Sequence, residues 1–150
     1  MKKFRFSLDP VLGYQRQLVD SLRAEYQSLL EKVRLQEQVL SAAQLQYGQT
    51  NLEYCGKKEV GMMVAEAVSY ETGLKVLEKG IHAETQRLAA LRRQAREKLE
   101  EVVSAKQDTA AIEMLRDKQL DRYQSELQKA EERFIDDLVC ARGAGRGSSL

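Results

Sequence analysis

Cys55-Gly56-Lys57-Lys58-Glu59-Val60-Gly61 is the stretch whose reading decides the fold. Two glycines five residues apart, with two lysines between them, carry a packed helix only at a cost. On each side lies a long run whose apolar residues recur every three or four positions. One long run, one break and a second long run fold most simply back on themselves at the break. Upstream, one row reads Leu8, Gln15, Leu22, Leu29, Gln36, Ala43, Thr50, and its companion reads Leu12, Val19, Tyr26, Val33, Leu40, Tyr47, Tyr54. The companion row holds no charged or amide residue over seven heptads, the mark of a sustained coiled-coil seam. Gln15 and Gln36 weaken the seam locally and help to fix its register.

Downstream of the break, Met62 to Tyr70 is apolar on more than one side and reads as an irregular tip. Leu74, Ile81, Leu88, Ala95, Val102 and Thr109 then form one row, joined by Leu77, Leu91, Ala105 and Ile112. The next heptad position would be Arg116. Instead the row resumes at Leu120, Leu127 and Phe134, beside Tyr123 and Ala130, a slip of four residues that unwinds a supercoil locally. The expected fold is all-α: an elongated antiparallel two-helix coiled-coil hairpin forming a single domain over 1–150. Helix 1 is expected at about 9–55, the tip at 56–65, helix 2 at about 66–140 and a flexible tail at 141–150. Ser7 and Asp9 are both candidate N-caps, and Pro10 suits a first helical position. Helix 1 would run about 70 Å and helix 2 about 110 Å. The apolar row Leu120, Leu127, Phe134 would then overhang, with only residues 1–8 to cover it, and mark a partner or self-association site.

Composition agrees with a helical seam rather than a compact core. The 150 residues include 31% charged residues, one proline and no tryptophan, with a mean hydropathy of -0.51. A net charge of +1 gives no bulk attraction to nucleic acid. The start, with Lys2, Lys3 and Arg5 around Phe4 and Phe6, lacks the apolar core of a secretory signal. No apolar run approaches the roughly 20 residues that span a bilayer, so a cytoplasmic location is expected, with at most a peripheral approach to a membrane surface. Cys55 and Cys140 would lie at opposite ends of the hairpin, too far apart for the roughly 7 Å Cα separation of a disulfide.

Catalytic constellations are absent from the sequence. One histidine, His82, and two distant cysteines make no transition-metal site, and no cofactor is implied. Asp136 and Asp137 with Glu131 and Glu132 read as a solvated acidic face. Gly143 to Ser149 lacks the strand, lysine and following helix of a phosphate loop. Arg87, Arg92, Arg93, Arg96 and Lys98 are locally basic: either a solvated face or a contact for an acidic partner surface. No aromatics interleave with them, which argues against base stacking. Tyr47, Tyr54 and Tyr70, with Met62 and Met63, are either seam core or an exposed hot spot.

Three segments carry a family resemblance. Phe4-Arg5-Phe6-Ser7-Leu8-Asp9-Pro10-Val11-Leu12 resembles the opening of the FliJ family of flagellar type III export proteins. Ser69-Tyr70-Glu71-Thr72-Gly73-Leu74-Lys75-Val76-Leu77 is similar to the family beyond its tip, and Glu131 to Leu138 looks like its acidic C-terminal segment. The resemblance implies a hairpin like the central stalk of rotary ATP synthases, with no enzymatic activity of its own. It implies insertion of the end carrying both termini into the hexameric flagellar export ATPase, promoting hexamerisation, and contact with the cytoplasmic domain of the export gate. It also implies escort of export chaperones, and a place at the cytoplasmic face of the inner membrane reached only through the gate. Carried over by position, the gate contact would be Tyr47, Tyr70, Leu74, Leu77 and Gly80, and the ATPase-ring contact Leu120, Leu127 and Phe134. Gly73 departs from the family, which usually has Phe there; either the tip contact is weaker or Leu74 replaces it. The equivalent stalk of a virulence-type secretion system and a generic coiled-coil scaffold are the competing expectations.

Overall fold

The computed structural model describes residues 2–147, 93% of them helical, with two long helices packed against each other and no strand among the described residues. Helix α1 is Asp9–Val60 and α2 is Val64–Gly147. The antiparallel helical hairpin expected from the heptads is present.

The ends of the helices differ from the sequence reading, and each difference has a local cause. At the start of α1, the Leu8 carbonyl accepts the first intrahelical bond from the Leu12 N–H at 2.8 Å, so Leu8 occupies the cap position expected of Ser7 or Asp9. Asp9 lies in the first turn, where its charge suits the positive end of the helix dipole. Gly56 does not end α1. Its cost of about 1 kcal/mol relative to alanine is absorbed, and the helix continues through residues 56–60, which the sequence reading assigned to the tip. Gly61 ends it. With φ at +100° it takes the left-handed conformation that glycine adopts without strain, and its N–H donates to the Lys57 carbonyl at 2.9 Å. Lys57 and Lys58 in the last turn complement the dipole. The turn is therefore three residues, Gly61 to Met63, and α2 begins where the Met63 carbonyl accepts from the Ala67 N–H. At the other end, residues 141–147 extend α2 instead of forming a flexible tail, while 148–150 lie outside the described residues.

The chain divides into two compact units, one of Asp20–Val103 and one of Met1–Val19 with Ser104–Leu150. Within the first, paired residues descend on α2 as they rise on α1: Glu25 meets Lys98, Glu37 meets Arg92, Tyr47 meets Glu78 and Tyr54 meets Glu71. Tyr54, Leu88, Ala95 and Val102 are buried there, while Tyr26, Val33, Leu40, Leu74, Ile81 and Leu91 are half-buried. Glu84 and Lys98 also turn toward the seam, and both are paired. Gln36 donates to the Glu84 carboxylate and, at 3.2 Å, to its backbone carbonyl. Lys98 bridges Glu25 at 2.8 Å and Glu101 at 3.0 Å, which raises its pKa above the usual lysine value.

The second unit adds the non-helical segment 2–6 to the two helices. Phe6, Leu12, Val19, Ala105 and Thr109 are buried in it. Thr109 returns its hydroxyl to the Ala105 carbonyl at 2.8 Å, so this polar seam position is satisfied within its own helix. Past Thr109, Ile112, Glu113 and Arg116 are all half-buried before the row resumes at Leu120, Tyr123 and Leu127. That crowding is the four-residue slip read from the sequence. Glu113 and Arg116 answer Arg16 at 3.1 Å and Asp9 at 3.6 Å.

Candidate interaction surfaces

In the unit Asp20–Val103, the aromatic residues form a layered cluster next to the turn. Tyr54 and Tyr70 stack with centroids 5.4 Å apart and planes inclined by 26°. The Lys58 ammonium lies 4.1 Å from the centre of the Tyr54 ring, and Lys57 lies 5.2 Å from that of Tyr70. Hydrogen bonding to the tyrosine, Tyr70 for Lys57 and Tyr54 for Lys58, favours the protonated amine and lifts the lysine pKa. Tyr54 donates its hydroxyl to Glu71 at 3.0 Å, and one heptad away Tyr47 donates to Glu78 at 3.1 Å. The Glu78 carboxylate accepts that bond and repels a phenolate, which holds the Tyr47 pKa above its ordinary value. Beside the cluster, Val60, Met63 and Val64 are exposed, by 90%, 73% and 81%.

Of the residues assigned to the gate contact, Tyr47, Tyr70, Leu74 and Leu77 are half-buried along this seam, with only their outer edges open. Gly80 is exposed, with open space where a Cβ would stand. Sequence reasoning missed Lys57, Lys58, Glu71 and Glu78. The signal was available for the acids: Glu71 and Glu78 are seven apart, matching Tyr47 and Tyr54.

The other unit carries the residues assigned to the ATPase-ring contact. Leu120 and Leu127 are half-buried, and the N-terminal segment packs on Tyr123 between them. Phe4 packs against Tyr123 at 5.6 Å, and the Tyr123 hydroxyl donates to the Lys2 carbonyl at 2.8 Å. Leu120 is less open than an overhanging residue was expected to be. From Ala130 to Gly147 every residue is exposed. Phe134 is 65% exposed, and Ile135, Leu138 and Val139 continue its stripe at helical spacing. Glu131, Glu132, Asp136 and Asp137 flank it.

Among the described residues, no three His, Cys, Asp or Glu side chains gather as a metal site. Both cysteines are free and exposed. No helix of the described residues is long and apolar enough to cross a membrane.

The fold and surfaces define a helical-hairpin protein whose longer helix presents an uncovered apolar stripe. The sequence model of one family, the flagellar FliJ protein, matches residues 4–148. The chain belongs to that family and is a component of the flagellar protein export apparatus; the family is structural and is not a known enzyme family. No curated protein and no solved structure matches the chain.

Proposed function

We propose that the protein is the stalk of the export apparatus, entering the export ATPase ring through the C-terminal part of α2 and promoting ring assembly. The observation that carries this reading is the exposed apolar stripe headed by Phe134. An apolar row on a helix that none of the described residues covers is an expected partner surface. Leu127 and the open edge of Leu120 extend the contact toward the N-terminal segment. The gate contact is assigned to Gly80 with the outer edges of Tyr47, Tyr70, Leu74 and Leu77. Such a protein works at the cytoplasmic face of the inner membrane, held there by the gate, and can escort export chaperones between the two.

Mixing the purified protein with the export ATPase and measuring hydrolysis and hexamer formation tests the reading. Wild type is expected to stimulate both, and Phe134→Asp to abolish ring binding. Because Phe134 is exposed, that change is expected to alter the stability of the chain by no more than about 0.5 kcal/mol in thermal unfolding. An ATPase that neither binds wild type nor responds to it would rule out the stalk role.

A further inference from the structure

Two unpartnered surfaces of the chain are complementary to each other. The first is an open groove of about 300 Å³ in the unit Asp20–Val103, floored by Leu30, Val33, Ala95 and Leu99 and edged by Arg92 and Arg96. Leu30 and Leu99 retain 38% and 41% of their surface. Arg87 and Arg92 pair with Glu84 and Glu37, whereas Arg93 and Arg96, both exposed, have no carboxylate partner among the described residues. The groove is therefore apolar with the spare positive charge of Arg96 at its edge, and Arg93 follows the edge residue Arg92 in sequence.

The second surface is the stripe Phe134, Ile135, Leu138 and Val139, flanked by Glu131, Glu132, Asp136 and Asp137. Within it only Arg133 is cationic. Two apolar strips with opposite charge along their margins are matched for association, and charge of this kind sets orientation and on-rate as well as affinity. Every copy carries both strips, so the chain is self-complementary.

We propose that two copies of the free protein associate by docking the acidic apolar segment 131–139 of one into the Leu30–Leu99 groove of the other, with Arg93 and Arg96 facing Asp136 and Asp137. The same segment is the proposed ring contact, so a second copy occupies it until the ATPase displaces that copy. Self-association does not depend on the ring reading, because it is measured with no ATPase present.

Sedimentation velocity of the full chain over a range of protein and salt concentrations is the test. Reversible association that weakens with salt is expected for wild type. The double change Arg93→Glu with Arg96→Glu is expected to raise the dimer dissociation constant at least about tenfold. Asp136→Arg with Asp137→Arg should do the same. All four positions are exposed, so helicity by circular dichroism is expected to stay at the wild-type level. Mixing the two double variants restores both contacts of the mixed dimer, one with reversed and one with native charges, and combining all four changes in one chain restores both with reversed charges. A wild type that stays monomeric, association indifferent to either double change, or a concentration-independent compaction showing intrachain docking would each overturn the proposal.

Discussion

Between Asp20 and Val103 the seam is closed by polar cross-links along a pair of helices, whereas the unit of Met1–Val19 with Ser104–Leu150 gains a third element and then leaves a helix bare. In the first, five interhelical polar pairs, from Glu25–Lys98 to Tyr54–Glu71, flank a row that is mostly half-buried. In the second, the non-helical segment lies against the helices, and Phe6 and Leu12 reach 4% and 2% exposure. Two helices alone cover each other on one side only, so their seam residues keep an open edge. A third strand of chain closes that edge. Past Leu127, every described residue of α2 is exposed.

If the seam of Asp20–Val103 depends on its few buried residues, a charge at Leu88 is the most damaging single change. Leu88→Asp buries a carboxylate without a partner and is expected to remove at least about 4 kcal/mol in thermal unfolding. Phe6→Ala tests the third element. The loss is expected to be about 3 kcal/mol and local: amide exchange should accelerate around Leu120 and Tyr123 and stay unchanged around Leu88. Equal acceleration in both units would erase the contrast.

Glycines near the turn give smaller effects of opposite sign. Gly61→Ala forces a side chain into the left-handed region and is expected to cost about 1 kcal/mol. Gly56→Ala, in helix with open space around it, is expected to add about 0.5–1 kcal/mol. Smallest is Tyr47→Phe, whose effect depends on pH. The folded pKa of Tyr47 lies above its unfolded value. The Glu78 bond therefore contributes fully below the ordinary tyrosine pKa of about 10 and is lost as pH rises through the higher folded value. Wild type and Tyr47→Phe should differ in melting temperature at neutral pH and converge in strong alkali.

The row from Leu12 to Tyr54 was legible because its residues repeat a single choice seven times, and repetition outweighs local propensity. The four-residue slip near Thr109 was legible for the same reason, as a break in that repetition. Gly56 was not, because the penalty for one glycine is small beside the helix on both sides of it; the sign of φ at Gly61, which decides the turn, is invisible in the sequence. Residues 141–147 were misread likewise: once a helix is propagating, each added residue gains a hydrogen bond, and Gly143 and Gly145 do not stop it. At the interaction surfaces, Phe134 was legible as the end of an apolar row. The packing of Phe4 on Tyr123 was not, because it depends on where the segment 2–6 lies.

Tyr47 and Tyr54 stand one heptad apart, as do their acceptors Glu78 and Glu71. Slid by seven residues, α1 would set Tyr54 against Glu78 and still find an acid waiting, but Tyr47 would meet Thr85, Glu37 would meet Leu99 and Glu25 would meet Ala105. The shortness of the turn is a second bar to the slide: a displacement of one heptad needs about 10 Å of extra chain, and Gly61 to Met63 has none to give. Register in this hairpin is therefore set twice, by side-chain pairs that fit one alignment and by a stop at the turn.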